Sequence, residues 1–474
     1  MPAYLSPLTL IQPKTTSCIP IDRAQLSSRR QLSTPGVVHA VSDSRRDDSK
    51  HNDSVPFAYR VGGALPWKDP TYIRRKADSE LLSAIKQGQF TYVLGPRQMG
   101  KSSLRIQARN QLVQQGYRCV TIQANQICSP SLASAEPALG ALAASDQTAS
   151  NQKACSTFIS TLWTQLKSNA TLSLREWLGD TAGLSGAERL SRFSQDILAS
   201  ELRKAPIVVF IDEIDALLET PFLSLLLQWI EHCSSNTHPI EARQGHLSDQ
   251  TGNPYKDLTF VLLGTATVSA LCHSNLSPAQ SEPSNGSILR LFSNGCQISL
   301  PKFQLVETFS LNRGFAEKIE VPATLLTAIF KWTQGQPFLT QKLCHIAKSL
   351  IGTLVGPSTQ PIVLSPRTVN DWIDDLVRSH LIKHWTIQDD PIHFRAIRDR
   401  LLYSHQHKDL LRLYQAIFKG NPTRFDNTPI QAELLLTGLV TIIDNQLQVT
   451  NPIYQEVFQE VCSVRGESLA SARL

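Results

Sequence analysis

The chain of 474 residues has no run approaching the roughly 20 consecutive apolar residues that a membrane-spanning helix needs. Its N-terminus has no charged start followed by a long apolar core, so the sequence predicts no secretory signal. No stretch repeats at a fixed period, which argues against repeat architectures. We therefore expect a globular protein with no membrane partner.

Closely paired cysteines are also missing. The nine cysteines form an odd set, lie far apart and include no C-x-x-C pair. This spacing argues against a disulfide framework and against a zinc site, because both need thiols that can meet. We expect reduced thiols, several of them in the core, and a cytoplasmic location.

Positive charge is not concentrated in one part of the chain. The formal net charge of +6 is mild for this length. It permits an anionic or nucleic-acid partner without requiring one, because nucleic-acid-binding domains usually concentrate their basic residues.

Four stretches lack the patterns of a folded core. Residues 1–61 are rich in Ser and Arg and predict a disordered tail, and the acids within them argue against a transit peptide. Low-complexity insertions are expected near 129–152 and 238–254, and a flexible tail over 463–474.

What remains between residues 62 and 300 alternates apolar runs with helical patterns. The runs "FTYVL", "RCVTIQA", "PIVVFID" and "LTFVLLG" predict strands, and "KSSLRIQARNQLVQQG" predicts a helix with a glycine stop. Near-continuous β-branched runs are typical of parallel strands covered on both faces. The sequence therefore predicts an α/β core built on a parallel sheet.

The C-terminal third has a different pattern. After Pro301 the strands give way to helices over 301–365, and helical segments continue over 366–462. Within the second range, "VTIIDNQLQVT" predicts two short strands around Asp444–Asn445, a hairpin turn signal. Helices followed by a small hairpin predict a C-terminal winged helix.

One loop carries the strongest chemical signal. Its residues fit G-x-x-x-x-G-K-[ST] with a strand before it and a helix after it, the context that supports a phosphate-binding loop. Inward backbone N–H groups and the helix N-terminus favour phosphate, Lys101 would reach the β- and γ-phosphates, and the Ser102 hydroxyl can bind Mg²⁺. The alternative is a chance match, which the strand–loop–helix context makes rare. The candidate nucleotide-binding residues here are Gly95, Pro96, Arg97, Gln98, Met99, Gly100, Lys101, Ser102 and Ser103.

A pair of acids follows the run "IVVFI". Asp212 is the expected Mg²⁺ partner of a phosphate loop, and Glu213 could accept a proton from an attacking water. The alternative is an acid pair that favours a helix N-terminus. Thr265 or Thr267, after "FVLLG", could hold the water or the γ-phosphate, or could be a turn residue. Lys101, Glu213 and Thr265 are the catalytic candidates.

Seven motifs together resemble the AAA-like domain proteins common in cyanobacteria, which are related to signal-transducing STAND-type ATPases. They are "YIRRKAD", "YVLGPRQMGKSSL", "IVVFIDEIDALL", "LTFVLLGTAT", "WTQGQPFLTQKLC", "DDPIHFRAIRDRLL" and "TGLVTIIDNQLQVTNPIYQEVF". The resemblance covers about residues 62–459.

This resemblance implies a P-loop NTPase core with an additional strand between the phosphate-loop strand and the acidic strand. A helical lid over 301–365 and a winged helix would follow. It also implies that Arg75 lies in the segment that lines the nucleotide base, and that Trp332, Gly335 and Pro337 belong to a lid motif that touches nucleotide. Judged from the residues alone, Pro337 starts a helix and Trp332 is a core residue.

The chain departs from the family pattern at Gln123-Ala124-Asn125, where relatives usually carry "DLT", and at Phe292–Gly295, where "FSNG" replaces "FNIG". These changes bear on hydrolysis more than on binding.

Three functions fit these patterns. The first is a slowly hydrolysing switch that binds ATP or ADP with Mg²⁺ and acts through a protein partner or nucleotide-dependent self-association. The second is ATP-dependent DNA binding through the winged helix, for which Arg395, Arg398, Arg400 and Lys408 are candidates diluted by nearby acids. The third is a scaffold that holds nucleotide without hydrolysing it. Arg290 and Arg313 are candidates for an arginine supplied by a neighbouring subunit.

Overall fold

The computed structural model describes residues 57–128, 143–166, 173–235, 254–273, 283–355, 361, 365–389 and 391–459. The predicted tail over 463–474, most of residues 1–61, residues 129–142 of the first predicted insertion and residues 238–253 of the second lie outside these ranges. Among the described helices, none combines the length and the hydrophobicity required to traverse a bilayer.

Five parallel strands form the central sheet. Their order is β2-β3-β4-β1-β5, so β4 lies between the strand that precedes the phosphate loop and the strand that ends in the acids. This confirms the predicted parallel sheet and the additional strand between β1 and β3. The strands are β1 Thr91–Leu94, β2 Arg118–Gln123, β3 Ile207–Asp212, β4 Leu258–Gly264 and β5 Cys296–Gln297.

Helices cover both faces of this sheet. They are α1 Lys76–Lys86, α2 Lys101–Gln114, α3 Ala124–Cys128, α4 Ala143–Leu166, α5 Leu174–Asp180, α6 Gly186–Phe193, α7 Ala199–Leu202, α8 Phe222–Ser235, α9 Val268–His273 and α10 Pro283–Asn294. All six residues of β3 and all seven of β4 are buried, as expected of strands packed on both sides. One face packs on α1 and α2 through Val208, Phe210 and Val261, and the other packs on α4 and α8 through Val209 and Phe260.

The register brings functional strand ends together. Leu94 at the end of β1 pairs with Gly264 of β4, and Gln123 at the end of β2 pairs with Asp212 of β3. Because parallel strands end at one edge of the sheet, the loops after all four strands meet there.

Helices dominate the rest of the chain. They are α11 Pro322–Thr333, α12 Pro337–Val355, α13 Pro366–Val377, α14 Trp385–Gln388, α15 Phe394–Tyr403, α16 His407–Phe418, α17 Pro429–Thr437 and α18 Pro452–Val457. Five of these eight helices begin with proline, which suits the first helical position because it has no N–H to leave unpaired. Ser365 caps α13 by accepting from Thr368 N.

A two-stranded antiparallel hairpin follows α17. It consists of β6 Val440–Ile443 and β7 Gln446–Val449, joined at Asp444 and Asn445. Both turn residues have positive φ, 47° and 61°, which a tight hairpin requires and which Asp and Asn tolerate. The hairpin prediction is confirmed, while the assignment of a complete winged-helix domain stays a prediction.

Two boundaries differ from those expected. Residues 57–61 belong to the folded part, because Tyr59 is buried, stacks near Phe315 and donates to Leu311 O at 2.5 Å. Residues 143–152, expected within an insertion, are helical as the start of α4. The Ala- and Ser-rich composition of this stretch concealed a helix that continues into strongly apolar sequence.

Candidate functional site

The phosphate loop joins β1 to α2 at the edge of the sheet where the strands end. Gln98 and Gly100 have positive φ, 59° and 92°, which turns the backbone into α2 at Lys101. A Cβ on Gly100 would also lie 2.9 Å from Arg75 Nη2, and the positive φ would strain any other residue, so glycine is favoured at this position. The loop therefore presents its backbone to one space at the N-terminus of a 14-residue helix.

Lys101 lies folded against the loop that precedes it. Its Nζ donates to Gly95 O at 2.8 Å and to Pro96 O at 2.6 Å, and lies 3.4 Å from Thr265 Oγ1. Burial lowers the pKa of Lys101 to about 8, with a further lowering by Arg97 and Arg400 that Asp215 and Asp212 oppose. An incoming phosphate would replace carbonyl oxygens as the partner of this ammonium group.

Asp212 ends β3 in a buried position. Its Oδ2 accepts from Arg105 Nε at 2.9 Å, and its Oδ1 accepts from the Glu213 backbone N–H at 3.0 Å. Ser102 on the first turn of α2 lines the same space as Asp212. A hydroxyl and a carboxylate are the oxygen donors that Mg²⁺ prefers, so these two residues fit the predicted metal site.

Glu213 has a conformation unusual for its residue type. Its φ is 59°, and its side chain is exposed while lining the cavity. Two residues on, Asp215 Oδ1 accepts from the backbone N–H of Thr265 at 2.8 Å. Asp215 therefore joins the end of β3 to the end of β4 as a local partner.

The structure separates the two threonine candidates. Thr265 is buried beside Lys101, whereas Thr267 Oγ1 accepts from Ala270 N at 3.0 Å and caps α9. Ser103, next to the predicted metal ligand, accepts from Leu65 N at 2.9 Å. It therefore anchors the segment before α1 to the loop helix.

Arg75 is hydrogen-bonded to the phosphate loop. Its Nη1 donates to Met99 O at 3.0 Å and to Pro301 O at 3.1 Å, and its guanidinium lies over the ring of Phe303. The resemblance implied a place beside the nucleotide base. Arg75 does line the cavity, with its recorded hydrogen bonds directed at protein carbonyls.

The start of α12 forms another wall. Pro337, with Gln336 and Phe338, lines the cavity. Trp332 does not: it donates to Asp374 Oδ1 at 2.7 Å and packs partly buried against the C-terminal core. The expectation of a core position fits Trp332 better than nucleotide contact.

These walls enclose one cavity of about 1100 Å³. It is bounded by the segment before α1, the phosphate loop, the ends of β2, β3 and β4, the start of α12, and α15, α17 and β6. Basic groups outnumber acids along its described lining, which suits a polyanionic ligand. The basic residues are Arg60, Arg75, Arg97, Lys101, Arg105, Lys302 and Arg400, and the acids are Asp212, Glu213 and Asp215.

Several residues that line the cavity were not predicted from the sequence to do so. Arg105 follows Lys101 by one helical turn, a spacing that could have placed it on the same side of α2. Arg400 was grouped with a DNA-facing set, but it lines the cavity. Arg290 and Arg313 are absent from the lining, and Arg313 lies over the ring of Phe57.

Comparison with known proteins agrees with this geometry. The sequence profile of the AAA-like domain family matches residues 61–354. A WD repeat-containing protein of Synechocystis sp. is 33% identical over 402 residues, which cover 84% of this chain and 30% of that protein. The chain thus spans under a third of the length of this relative.

Solved structures give weaker likenesses. The Walker-type ATPase PABY2304 of Pyrococcus abyssi has a TM-score of 0.47 at 15% identity, over 85% of this chain and 99% of that one. A STAND protein with a tetratricopeptide repeat sensor from Pyrococcus horikoshii has a TM-score of 0.30 at 13% identity, over 85% of this chain and 44% of that one.

Proposed function

Because this chain belongs to the AAA-like domain family, we propose that it binds ATP with Mg²⁺ and acts as a slowly hydrolysing molecular switch. The observation that carries this proposal is the single cavity shared by the phosphate loop, the acidic strand end, α12 and the C-terminal helices. A nucleotide held there would touch every part of the chain that a switch must move.

Each role follows from a position in the cavity. Backbone N–H groups of the loop and Lys101 bind the phosphates, and Ser102 with Asp212 would hold Mg²⁺. The ion, when bound, neutralises charge on the phosphate oxygens. Glu213 accepts a proton from the attacking water, and Thr265 positions that water or the γ-phosphate.

The switch proposal is supported by direct contacts between the loop and the C-terminal region. Gln98 Nε2 donates to Ile392 O at 3.3 Å, and a Cβ on Gly438 would lie 3.3 Å from Pro96 Cβ. Any shift of the loop on binding phosphate would therefore be transmitted to the start of α15 and the end of α17.

Slow turnover is supported by the surroundings of Asp212 and Glu213. Asp212 already has Arg105 as a buried partner, and Glu213 is exposed at the cavity lining with no recorded side-chain partner among the described residues. Binding Mg²⁺ through Asp212 would require this carboxylate to exchange part of its contact with Arg105, which adds to the barrier.

Phosphate release by the wild type and by Glu213→Gln tests this function. We expect slow release by the wild type, loss of release in Glu213→Gln, and equal binding of a non-hydrolysable ATP analogue by both proteins. Glu219→Gln, a change at a nearby exposed acid outside the cavity lining, is the matched control and should behave as wild type. Equal background release by wild type and Glu213→Gln would favour the non-hydrolysing scaffold instead.

The DNA-binding alternative is weakened by ion pairs. Arg395 and Arg398 lie within 4 Å of a carboxylate, at 3.8 and 2.7 Å, and Arg400 lines the cavity. Paired arginines offer less net charge to a phosphate backbone. A duplex titration across salt concentrations tests this alternative, and affinity that rises steeply as salt falls would restore it.

The partner and the location also remain proposals. We propose a protein partner or nucleotide-dependent self-association in the cytoplasm, in which Arg290 or Arg313 could reach a neighbouring subunit. Light scattering after size exclusion, with ADP and with the ATP analogue, measures this directly. A mass that is the same with both nucleotides would argue against self-association.

A further inference from the structure

Arg400 lies on the face of α15 that lines the cavity. His393, Ala396, Ile397 and Arg400 line it, at the spacing that places side chains along one side of a helix. Arg395 and Arg398, the other arginines of α15, are absent from the lining. The direction of Arg400 is therefore set by the helix register.

The start of α15 is fixed independently. Both carboxylate oxygens of Asp389 accept from His393 N at 3.0 Å, and Oδ2 accepts from Arg395 N at 2.7 Å. Asp389 is buried, so this cap holds the first turn of the helix rigidly. The position of Arg400, two turns further on, depends on this anchor.

The helix that carries Arg400 begins beside the phosphate loop, where Gln98 Nε2 donates to Ile392 O at 3.3 Å. Gly438, at the end of α17, packs on Pro96 near the carbonyls that hold Lys101. Lys101, the cation of the loop, lines the same cavity as Arg400. Two cations that line one cavity favour an anion between them.

The guanidinium has a replaceable partner. Its Nε donates to Glu433 Oε1 of α17 at 2.9 Å, and each of the two side chains is 27% exposed. No other hydrogen bond of Arg400 is recorded within the described part of the chain. The planar group can therefore offer its Nη donors to a phosphate, which suits its geometry better than a single carboxylate contact does.

We propose that Arg400 recognises the terminal phosphate of ATP and gives up Glu433 when it does so. The arginine distinguishes ATP from ADP, and the exchange of partners changes how α15 is held against α17. This inference rests on the proposed nucleotide site and adds the residue that binds the γ-phosphate.

The test compares two nucleotides on the full chain with Mg²⁺ present. The Arg400→Ala/Glu433→Ala double variant removes both partners, so neither charge is left unpaired. Its matched control is Arg398→Ala/Asp399→Ala, which removes a neighbouring ion pair of the same helix, with no member in the cavity lining. Affinities for a non-hydrolysable ATP analogue and for ADP are measured by calorimetry.

We expect the Arg400→Ala/Glu433→Ala variant to bind the ATP analogue about tenfold or more weakly, the loss typical of one charged contact, and ADP within twofold of wild type. The control should stay within twofold for both. If the wild type binds both nucleotides and the Arg400→Ala/Glu433→Ala variant keeps the wild-type ratio of the two affinities, this inference alone is overturned. Failure of the wild type to bind either nucleotide overturns the proposed site and this inference together.

A single change tests the exchange of partners. Glu433→Gln removes the competing carboxylate while preserving its shape, so it should tighten binding of the ATP analogue and leave ADP unchanged. Unchanged or weaker binding of the analogue contradicts the exchange.

Discussion

Arg105 Nε lies 2.9 Å from Asp212 Oδ2, between the second turn of α2 and the end of β3. Both side chains are nearly buried, and the arginine also donates to Thr121 Oγ1 at 3.3 Å. The pair ties the loop helix to the acidic strand and connects both to β2. The negative charge of Asp212, the proposed metal ligand, is therefore neutralised by Arg105 in this structure.

We predict that Arg105→Met destabilises the nucleotide-free protein by about 3–5 kcal/mol, because it leaves Asp212 buried without its partner. Urea unfolding measures the change. Arg192→Met removes an exposed pair with Asp196 and should cost no more than about 1 kcal/mol. Similar losses of stability in both variants would show that the buried Arg105–Asp212 pair stabilises the protein no more than an exposed pair does.

Nucleotide affinity should depend on pH through Lys101. Its pKa in the unliganded protein is lowered to about 8, and a bound phosphate favours the charged form and raises it again. Below pH 8 the ammonium is already present; above it, binding must take up a proton. Affinity should therefore fall above pH 8, by at most about tenfold per pH unit.

Lys101→Arg provides the control for this profile, because a guanidinium stays protonated throughout. Whatever its absolute affinity, its profile should be flat between pH 7 and about 9.5. A wild-type profile as flat as that of the variant would contradict the role of Lys101 as the titrating group.

The two loop glycines should differ in their tolerance of alanine. Gly100→Ala places a Cβ 2.9 Å from Arg75 Nη2 at a φ of 92° and should cost about 1–3 kcal/mol. Gly95→Ala meets nothing within 4 Å and should change stability by less than about 0.5 kcal/mol. Thermal unfolding without nucleotide measures both, and equal effects would argue against the described loop conformation.

Glu213→Gly should stabilise the chain while abolishing phosphate release. The left-handed φ of 59° strains glutamate, and glycine relieves about 1 kcal/mol of that strain. Glu219 lacks a positive φ, so Glu219→Gly should destabilise by about 0.5–1 kcal/mol. If Glu213→Gly lowers the melting temperature as Glu219→Gly does, the strain at Glu213 is not real.

The sequence was most informative where local patterns decide the structure. The strand before Gly95, the acidic end at Asp212 and the turn at Asp444–Asn445 all depend on a few neighbouring residues. The family resemblance supplied the place of β4 between β1 and β3, which no local pattern encodes.

Contacts between distant segments were not predictable in the same way. The pairing of Arg105 with Asp212, and of Arg400 with Glu433, spans 107 and 33 residues of chain. Arg400 was grouped with neighbouring arginines because a basic helix face suggests solvent or DNA. Only the packing of α15 and α17 against the loop shows that this face lines a cavity.

Calorimetric titration of ATP with Mg²⁺ into wild type and Lys101→Ala tests the central claim most directly. The account predicts one ATP per wild-type chain and at least about tenfold weaker binding by Lys101→Ala, because a buried charged contact to phosphate is lost. Lys331→Ala, at an exposed lysine outside the cavity lining, should bind as wild type. Equal affinity of wild type and Lys101→Ala would contradict nucleotide binding by this loop.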